Sequence, residues 1–225
     1  MVDKISAKIQ QMFDDIAFKY DFLNDLISFK FHKTIKTNAF KKLNLNENSK
    51  VIDLCTGTGD VAYILKKMQP SAEIYGLDFS KNMLSIAKKR YGDKINFVFG
   101  DCLDIPFEDS FFDAVSISFG LRNIENEEKA IGEIYRILKC NGRFAHLDFA
   151  RLNPLFDFFF DKITILIAKI FSKNSYAYKY LVESKNEFKK PKDLIKLFEQ
   201  NGFKFICQKN FLFGTLSVQI MEKND

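Results

Sequence analysis

The segment VIDLCTGTGD, residues 51–60, constrains the fold of this chain more than any other segment. Its apolar run between polar residues is typical of a buried parallel strand. Gly57 and Gly59 then predict a tight turn, because glycine adopts backbone angles and permits a close ligand approach that a Cβ would block. Asp60 opens the predicted helix. Since open α/β sheets bind ligands beyond the carboxyl ends of their strands, we expect a ligand over this turn. An ordinary strand-to-helix turn is the alternative.

Strand-like and helical segments alternate through most of the chain. Short apolar runs predict strands at 50–55, 73–79, 95–100, 111–119, 143–149, 204–213 and 216–223. Helices are predicted at 60–68, 80–91, 126–139 and from Pro191 to just before Gly202. This alternation predicts an α/β fold with a doubly wound, mostly parallel, seven-stranded Rossmann-like sheet. The last two strands are expected to form an antiparallel hairpin at the C-terminal edge, joined at Gly214-Thr215.

The other segments are expected to be extra helices of one domain that spans residues 1–225. Residues 1–45 predict a helical cover, because their apolar residues recur at helical spacing. Residues 151–190 interrupt the alternation and predict an inserted helical lid. Within this lid, the Phe-rich stretch 155–171 predicts either a helix that contacts a lipid tail or a membrane surface, or an ordinary core helix.

Composition and charge disfavour several classes of protein. No run of about 20 residues lacks a charge, so no transmembrane helix is expected, and the early acidic residues predict no signal peptide. The four scattered cysteines form no CxxC pair, which predicts no metal site and no disulfide framework and indicates a reducing compartment. The net charge of +5 permits contact with an anionic membrane. We expect a cytoplasmic protein, at most peripheral to the inner face of the membrane, with no nucleic-acid partner and with homo-oligomerisation left open.

Acidic residues end two further predicted strands on the same side of the sheet as the glycine turn. Asp78 lies 19 residues beyond Gly59, where a carboxylate can accept hydrogen bonds from both hydroxyls of a ribose. Asp101 follows the third strand, where it can accept from the exocyclic amine of adenine. Each has a simpler interpretation: Asp78 as the cap of a helix that begins near Ser80, and Asp101 as a turn residue. Three consecutive strand ends with this chemistry favour a nucleoside site over coincidence.

The charge beside the turn indicates which nucleoside binds. Ala62 stands where dinucleotide-binding loops place a third glycine, a change that some of them tolerate. Asp60 replaces the lysine chemistry of a phosphate-binding loop with a negative charge. Asp53 and Asp60 would repel a pyrophosphate and attract the sulfonium and amino groups of S-adenosylmethionine (SAM). At this point the residues resemble class I SAM-dependent methyltransferases, although Cys55 or Thr56 stands where their motif has its first glycine.

Three longer segments extend the resemblance to nearly the whole chain. Residues 13–36, 118–143 and 178–203 are similar to the signature segments of the ubiquinone/menaquinone C-methyltransferase family, and SFGLRN at 118–123 is the specific part. The chain departs from the family at Lys30, at Ile35 and at Cys140-Asn141. The first two departures affect the expected shape of the substrate pocket, and the last alters a turn.

The resemblance implies a cofactor, a substrate and a set of contacts. The cofactor is SAM, and the substrate is a reduced polyprenyl quinone precursor, with demethylmenaquinol expected first and a ubiquinone precursor second. Three alternative functions remain for this chain: methylation of another small molecule, methylation of RNA, and SAM-binding regulation without activity. The expected cofactor contacts are Asp53, Gly57, Thr58, Gly59, Asp78, Asp101, Cys102 and Ser118.

The candidate catalytic residues are Arg122, His32 and Asp148. Methylation of a ring carbon needs a phenolate or a base, because a phenol has a pKa of about 10. Arg122 can stabilise the oxyanion, with a surface arginine paired with Glu125 as the alternative. His32 titrates near neutrality and Asp148 ends the fifth strand, but either can serve packing instead. Tyr20 and Asn123 are expected to contact the substrate, with Asn123 as a simple turn residue otherwise. His146, inside the fifth predicted strand, is expected to be structural.

Overall fold

The computed structural model describes residues 31–171 and 175–224, together with residues 11, 12 and 14. In chain order its helices and strands are α1 (Phe31–Phe40), β1 (Lys50–Leu54), α2 (Asp60–Met68), β2 (Glu73–Asp78), α3 (Lys81–Tyr91), β3 (Asn96–Phe99), β4 (Phe112–Ser118), α4 (Glu127–Ile137), β5 (Leu138–Phe149), α5 (Pro154–Phe171), α6 (Ser175–Glu187), α7 (Pro191–Gln200), β6 (Phe203–Phe211) and β7 (Leu216–Lys223).

The described strands form one seven-stranded sheet in the order β3-β2-β1-β4-β5-β7-β6. Neighbours from β3 to β5 are parallel, whereas β7 runs antiparallel to both β5 and β6. The predicted doubly wound sheet with an antiparallel C-terminal edge is therefore confirmed. The chain reverses its direction of travel across the sheet between β1 and β4, which is where open α/β sheets place their ligands.

The helices cover the sheet with apolar faces of helical period. On α4 the buried residues are Ala130, Ile131, Ile134 and Ile137. The side chain of Asn126 accepts from the backbone N–H of Lys129 and so caps this helix. On α7, Pro191 occupies the first turn, and Gly202 follows the helix with a positive φ of 93°. These boundary residues act as the sequence predicted.

Three boundaries differ from the prediction by two residues or more. The helix expected at 126–139 ends at Ile137, and the strand expected at 143–149 already begins at Leu138. The reason is a register shift in which Leu138 pairs with Phe112 of β4 before the regular ladder resumes, with Asn141 at a positive φ of 59°. The strand expected at 204–213 ends at Phe211, because residues Leu212–Gly214 form a short 3-10 turn before β7.

The segment 151–190 contains the two helices α5 and α6, which contact each other. Lys185 of α6 is buried and donates a hydrogen bond to Asp161 of α5. Arg151 donates to the backbone carbonyl of Phe188 at 2.6 Å and so holds the end of the segment to its start. Among the described residues, no helix is both long enough and apolar enough to span a membrane.

Candidate active site

The two glycines of the turn after β1 serve different purposes. Gly59 has a φ of 84°, and a Cβ there would lie 2.9 Å from the ring of Phe97, so packing alone requires glycine. Gly57 has a φ of 56°, but a Cβ there would meet no described atom within 4 Å. Thr58 between them is buried. The ring of Phe97 therefore fills the space beside Gly59. The space beside Gly57 is open, so a ligand can approach the backbone there.

Asp78, at the end of β2, is hydrogen-bonded to this turn. Its Oδ2 accepts from the backbone N–H of Gly57 at 2.8 Å, and its Oδ1 accepts from the N–H of Ser80 at 2.9 Å. Ser80 itself caps α3 by accepting from the N–H of Met83, so the cap interpretation of Asp78 is wrong. Burial raises the pKa of Asp78, although backbone hydrogen bonds oppose the shift. Because a carboxylate accepts about four hydrogen bonds and the backbone N–H groups of Gly57, Ser80 and Phe79 already donate to it, Asp78 retains capacity for one ribose hydroxyl.

Asp53 lies beneath the turn and not at its surface. It accepts from the hydroxyl of Thr56 at 2.6 Å and from that of Ser116 in β4 at 2.7 Å. Burial raises the pKa of Asp53 to about 7 against the opposing effect of these two hydrogen bonds and of Lys36. Asp53 therefore holds the turn to β4 by these hydrogen bonds. Because Asp53 lies beneath the turn, any electrostatic attraction of its carboxylate for a bound cation acts across the turn. Sequence reasoning missed Ser116, although a serine within an apolar strand was the available signal.

Asp60 has partners of its own. Its carboxylate lies 3.7 Å from the Lys36 ammonium and accepts from the Tyr91 hydroxyl at 3.2 Å. The negative charge that the sequence placed beside the turn is thus partly balanced by Lys36 of α1.

The loop after β3 contacts the turn through two thiols. The Sγ atoms of Cys55 and Cys102 lie 3.6 Å apart. Contact with Cys102 and burial raise the pKa of Cys55, which fits packing thiols and not nucleophiles. Asp101 is exposed and accepts from the N–H of Leu103 at 2.9 Å. It therefore shapes its own loop, as the simpler interpretation had it, and still presents a free oxygen to solvent.

The carboxyl ends of β4 and β5 bring two of the predicted catalytic residues together. Nη1 of Arg122 donates to Oδ1 of Asp148 at 2.7 Å, and the two side chains are only 5% and 1% exposed. The alternative of a surface arginine is therefore wrong. The guanidinium lies over the rings of Phe149 and Phe119, 5.3 and 5.8 Å from their centroids. A charge between two aromatic faces in a dry environment is held in place strongly.

Four buried polar atoms at this edge have no partner among the residues that the structure describes. They are the hydroxyl of Ser118 at the end of β4, Nε of Arg122, Oδ2 of Asp148 and Nε2 of His146. Buried polar atoms are nearly always hydrogen-bonded. Orphaned atoms at the carboxyl edge of a parallel sheet therefore fit a bound molecule with polar groups.

Asn123 connects this edge to α6. Its amide donates to the backbone carbonyl of Phe119 at 3.2 Å, and its Oδ1 accepts from the Tyr180 hydroxyl of α6 at 3.1 Å. Asn123 thus holds its turn and also contacts α6. Tyr180 was missed, and no local pattern marked it. Tyr20 lies outside the described residues, as does the side chain of His32, whose backbone belongs to α1.

The observed donors and acceptors fit a SAM molecule. Gly57 offers an open backbone face, Asp78 offers its remaining acceptor position, and Ser118 offers a hydroxyl without a partner among the described residues. No cluster of potential metal ligands occurs in the described part of the chain. A separate cleft of about 690 Å³ lies around Arg136, but Glu133, Asp109 and backbone carbonyls already satisfy that side chain. We therefore place the candidate site at the glycine turn and not at this cleft.

The raised pKa of Asp53 predicts a pH-dependent stability. A carboxyl group whose pKa is raised by folding stabilises the fold below its unfolded pKa, and this contribution is lost as the pH rises through the folded value, here about 7. Asp53→Asn cannot ionise, so its melting temperature relative to wild type should rise from pH 5 to pH 8. Thermal scans at both pH values measure this, with the exposed Asp93→Asn as control. A constant difference would contradict the assignment.

Comparison with known sequences finds a family and relatives that match nearly the whole chain. A model described as the ubiE/COQ5 methyltransferase family matches residues 1–223. The "Ubiquinone/menaquinone biosynthesis C-methyltransferase UbiE" of Geotalea daltonii is 37% identical, with 96% of each chain covered. The "Demethylmenaquinone methyltransferase" of Lactiplantibacillus plantarum is 32% identical, with 99% of each chain covered.

Solved structures agree on the fold. A SAM-dependent methyltransferase from Thermotoga maritima, titled a possible histamine N-methyltransferase, superposes with a TM-score of 0.71 at 23% identity and covers 95% of this chain and 99% of its own. Phosphoethanolamine N-methyltransferase 2 of Haemonchus contortus, in complex with SAM, gives a TM-score of 0.65 at 15% identity over 85% of this chain and 53% of its own. The expected family and cofactor are confirmed: this chain belongs to the ubiE/COQ5 methyltransferase family and is a SAM-dependent methyltransferase.

Proposed function

We propose that the chain transfers a methyl group from SAM to a ring carbon of a reduced polyprenyl quinone precursor, with demethylmenaquinol as the first candidate and a ubiquinone precursor as the second. The observation that carries this proposal is the buried Arg122–Asp148 pair at the same carboxyl edge of the sheet as the unpartnered hydroxyl of Ser118. The names of relatives that match nearly the full chain support it. The same matches disfavour RNA or an unrelated small molecule as substrate.

In this proposal the turn and the neighbouring strand ends hold the cofactor. Gly57, Thr58 and Gly59 present backbone, and Asp78 accepts from the ribose. Asp53 fixes the turn from below, and Asp101, Cys102 and Ser118 complete the contacts. When bound there, SAM supplies a methyl group on a positively charged sulfur.

Arg122 stabilises the negative charge that develops on the ring oxygen. A phenol hydroxyl has a pKa of about 10, so at neutral pH the enzyme must favour its ionised form. Arginine cannot itself take the proton, because its guanidinium has no acceptor atom. Its fixed charge, screened from water by Phe119 and Phe149, lowers the free energy of the oxyanion.

The proposed machinery also includes Asp148, His32, Tyr20 and Asn123. Asp148 orients the guanidinium and is one candidate to receive the ring proton, and His32 is the other. Tyr20 belongs to the segment expected to cover the ring. Asn123 is expected to contact the substrate, and it joins the turn that carries Arg122 to Tyr180 of α6. Together these groups exclude water and hold the ring against the cofactor.

Methyl transfer should require the reduced ring. An oxidised quinone is electron-poor and has no hydroxyl proton to lose, so it cannot attack a sulfonium methyl group. SAM labelled in its methyl group, incubated with demethylmenaquinone in detergent, should label the lipid only when a reductant is present. The control is the same assay with fully methylated menaquinol, which offers no acceptor carbon. Equal labelling of the oxidised and reduced forms would contradict the mechanism.

We further propose that α5 and the β6–β7 turn contact the membrane that holds the substrate. Phe158 is 56% exposed and Phe213 is 73% exposed. Phe156 stacks on Phe213 at 4.3 Å and so joins helix and turn into one surface. The exposed large apolar side chains of α5 are Leu155, Phe156, Phe158, Phe159, Ile163, Ile165 and Leu166. Such a contiguous apolar surface marks a site of interaction, and the Lys162 ammonium over Phe158 favours anionic lipid.

Vesicle binding tests this surface. Phe158→Ser and Phe213→Ser should each weaken binding to anionic vesicles by about tenfold, because burying a phenylalanine contributes about 1.5–3 kcal/mol. Phe99→Ser, at an equally exposed phenylalanine on β3, is the matched control and should bind like wild type. Absence of vesicle binding, together with a stable dimer in sedimentation experiments, would assign the surface to a second copy of the chain instead.

A further inference from the structure

A square of four polar side chains lies buried on one face of the sheet. His146 and Asp148 are two residues apart on β5 and therefore share a face. Gln219 and Ser217 of β7 lie opposite them in the antiparallel register. All four side chains are within 1% of complete burial. Polar groups in such a position must satisfy one another or hold something between them.

The hydrogen bonds of the square fix the proton on the imidazole. Gln219 donates its amide N–H to the hydroxyl of Ser217, so its Oε1 faces His146. Nδ1 of His146 lies 2.7 Å from this oxygen and must be the protonated nitrogen. Nε2 is therefore left with a lone pair.

The remaining acceptor of the square faces this lone pair. Nε2 of His146 and Oδ2 of Asp148 lie 4.0 Å apart. Neither atom has a hydrogen-bond partner among the described residues. Oδ1 of Asp148 is engaged by Arg122 and by the backbone N–H of Phe149. Two acceptors at this separation require a donor between them.

The surroundings keep His146 neutral. The rings of Phe188 and Phe198 lie 6.1 and 5.6 Å from the imidazole. Burial lowers the pKa of His146, although Asp148 and the more distant Glu127 of α4 oppose the shift and Arg122 adds to it. Glu127 is itself paired with Lys189. A neutral imidazole cannot donate from Nε2 in this tautomer, so the proton between the two acceptors must come from elsewhere.

We propose that His146 is a positioning residue for Arg122, acting through one water that donates a proton to His146 Nε2 and another to Asp148 Oδ2. A water about 2.8 Å from each acceptor spans their separation. It satisfies the free oxygen of Asp148 and so keeps Oδ1 turned to the guanidinium. The inference rests on the proposed function, in which Arg122 stabilises the ring oxyanion.

Acid should disrupt this arrangement. Protonated His146 donates directly to Oδ2 and adds a positive charge near Arg122, which weakens the hold of Asp148 on the guanidinium. Because burial lowers the pKa of His146, the loss of kcat should occur below the ordinary histidine value of about 6.5. SAM affinity should not follow it, since the square does not touch the glycine turn.

Three variants and one control separate positioning from simple packing. His146→Val removes the acceptor and should lower kcat about tenfold, as loss of an orienting partner commonly does, with the KM for SAM within twofold of wild type. His146→Gln can donate to Asp148 permanently, so it should restore kcat to within about threefold of wild type and abolish the acid limb. Gln219→Met removes the acceptor of the Nδ1 proton, so it should favour the His146 tautomer that carries its proton on Nε2. Ile220→Val, a core change on the opposite face of β7, should keep the wild-type pH profile.

The deciding measurement is the kcat–pH profile together with nitrogen NMR of the imidazoles. The chain has two histidines. The imidazole signals that disappear in His146→Val belong to His146, and those that remain belong to the other histidine. The proposal expects Nδ1-protonated, Nε2-unprotonated His146 at neutral pH, and the NMR result does not depend on finding the right substrate. A charged or Nε2-protonated His146 would overturn it, as would an unchanged acid limb in His146→Gln. Lack of activity in wild type with an intact NMR signature would instead contradict the proposed function alone.

Discussion

The parallel pairing of β1 with both β2 and β4 is the constraint on which the rest of the molecule depends. Parallel strands end at the same edge, so residues that are far apart in sequence meet there. Asp53 accepts from Ser116, 63 residues away, and Arg122 donates to Asp148 across the ends of β4 and β5. Without this register the glycine turn, Asp78 and the guanidinium of Arg122 would have no common edge.

Buried carboxylates hold this edge together, and each is satisfied differently. Asp78 accepts from backbone N–H groups, Asp53 accepts from two hydroxyls, and Asp148 is paired with Arg122. An isolated buried charge would be prohibitively costly, and breaking a buried pair commonly costs about 3–5 kcal/mol. The arrangement is therefore rigid before any ligand arrives. Rigidity at the point where charge develops is what electrostatic catalysis requires.

Sequence reasoning succeeded where the signal was local. The glycine turn, the strand-ending Asp78 and the cap at Asn126 each depend on a few neighbouring residues, and the alternation of strands and helices determines the sheet. It failed where the determinant was a distant partner. The early start of β5 depends on Phe112 of β4, and the pairing of Arg122 with Asp148 depends on how two strand ends meet.

The lid and the polar square illustrate the same limit. Tyr180 meets Asn123 only because α6 lies over the Arg122 turn. His146 looked like an isolated histidine in a strand, since its partner Gln219 is 73 residues away and is brought opposite by the antiparallel edge. A period-two pattern identifies which residues share a face of one strand but not which residues lie beside them on the next.

The central claim is that Arg122 acts on the developing ring charge and that Asp148 acts through it. The most direct test is a double-mutant cycle on single-turnover rates at saturating SAM. Its variants are Arg122→Gln, Asp148→Asn and the double variant. The double variant removes both charges of the pair, so it leaves no buried charge unpaired. The account predicts that Arg122→Gln slows methyl transfer by about 10²–10³-fold. The double variant should be no slower than Arg122→Gln, and SAM affinity should change little. Near-normal chemistry in Arg122→Gln, or additive losses in the double variant, would contradict it.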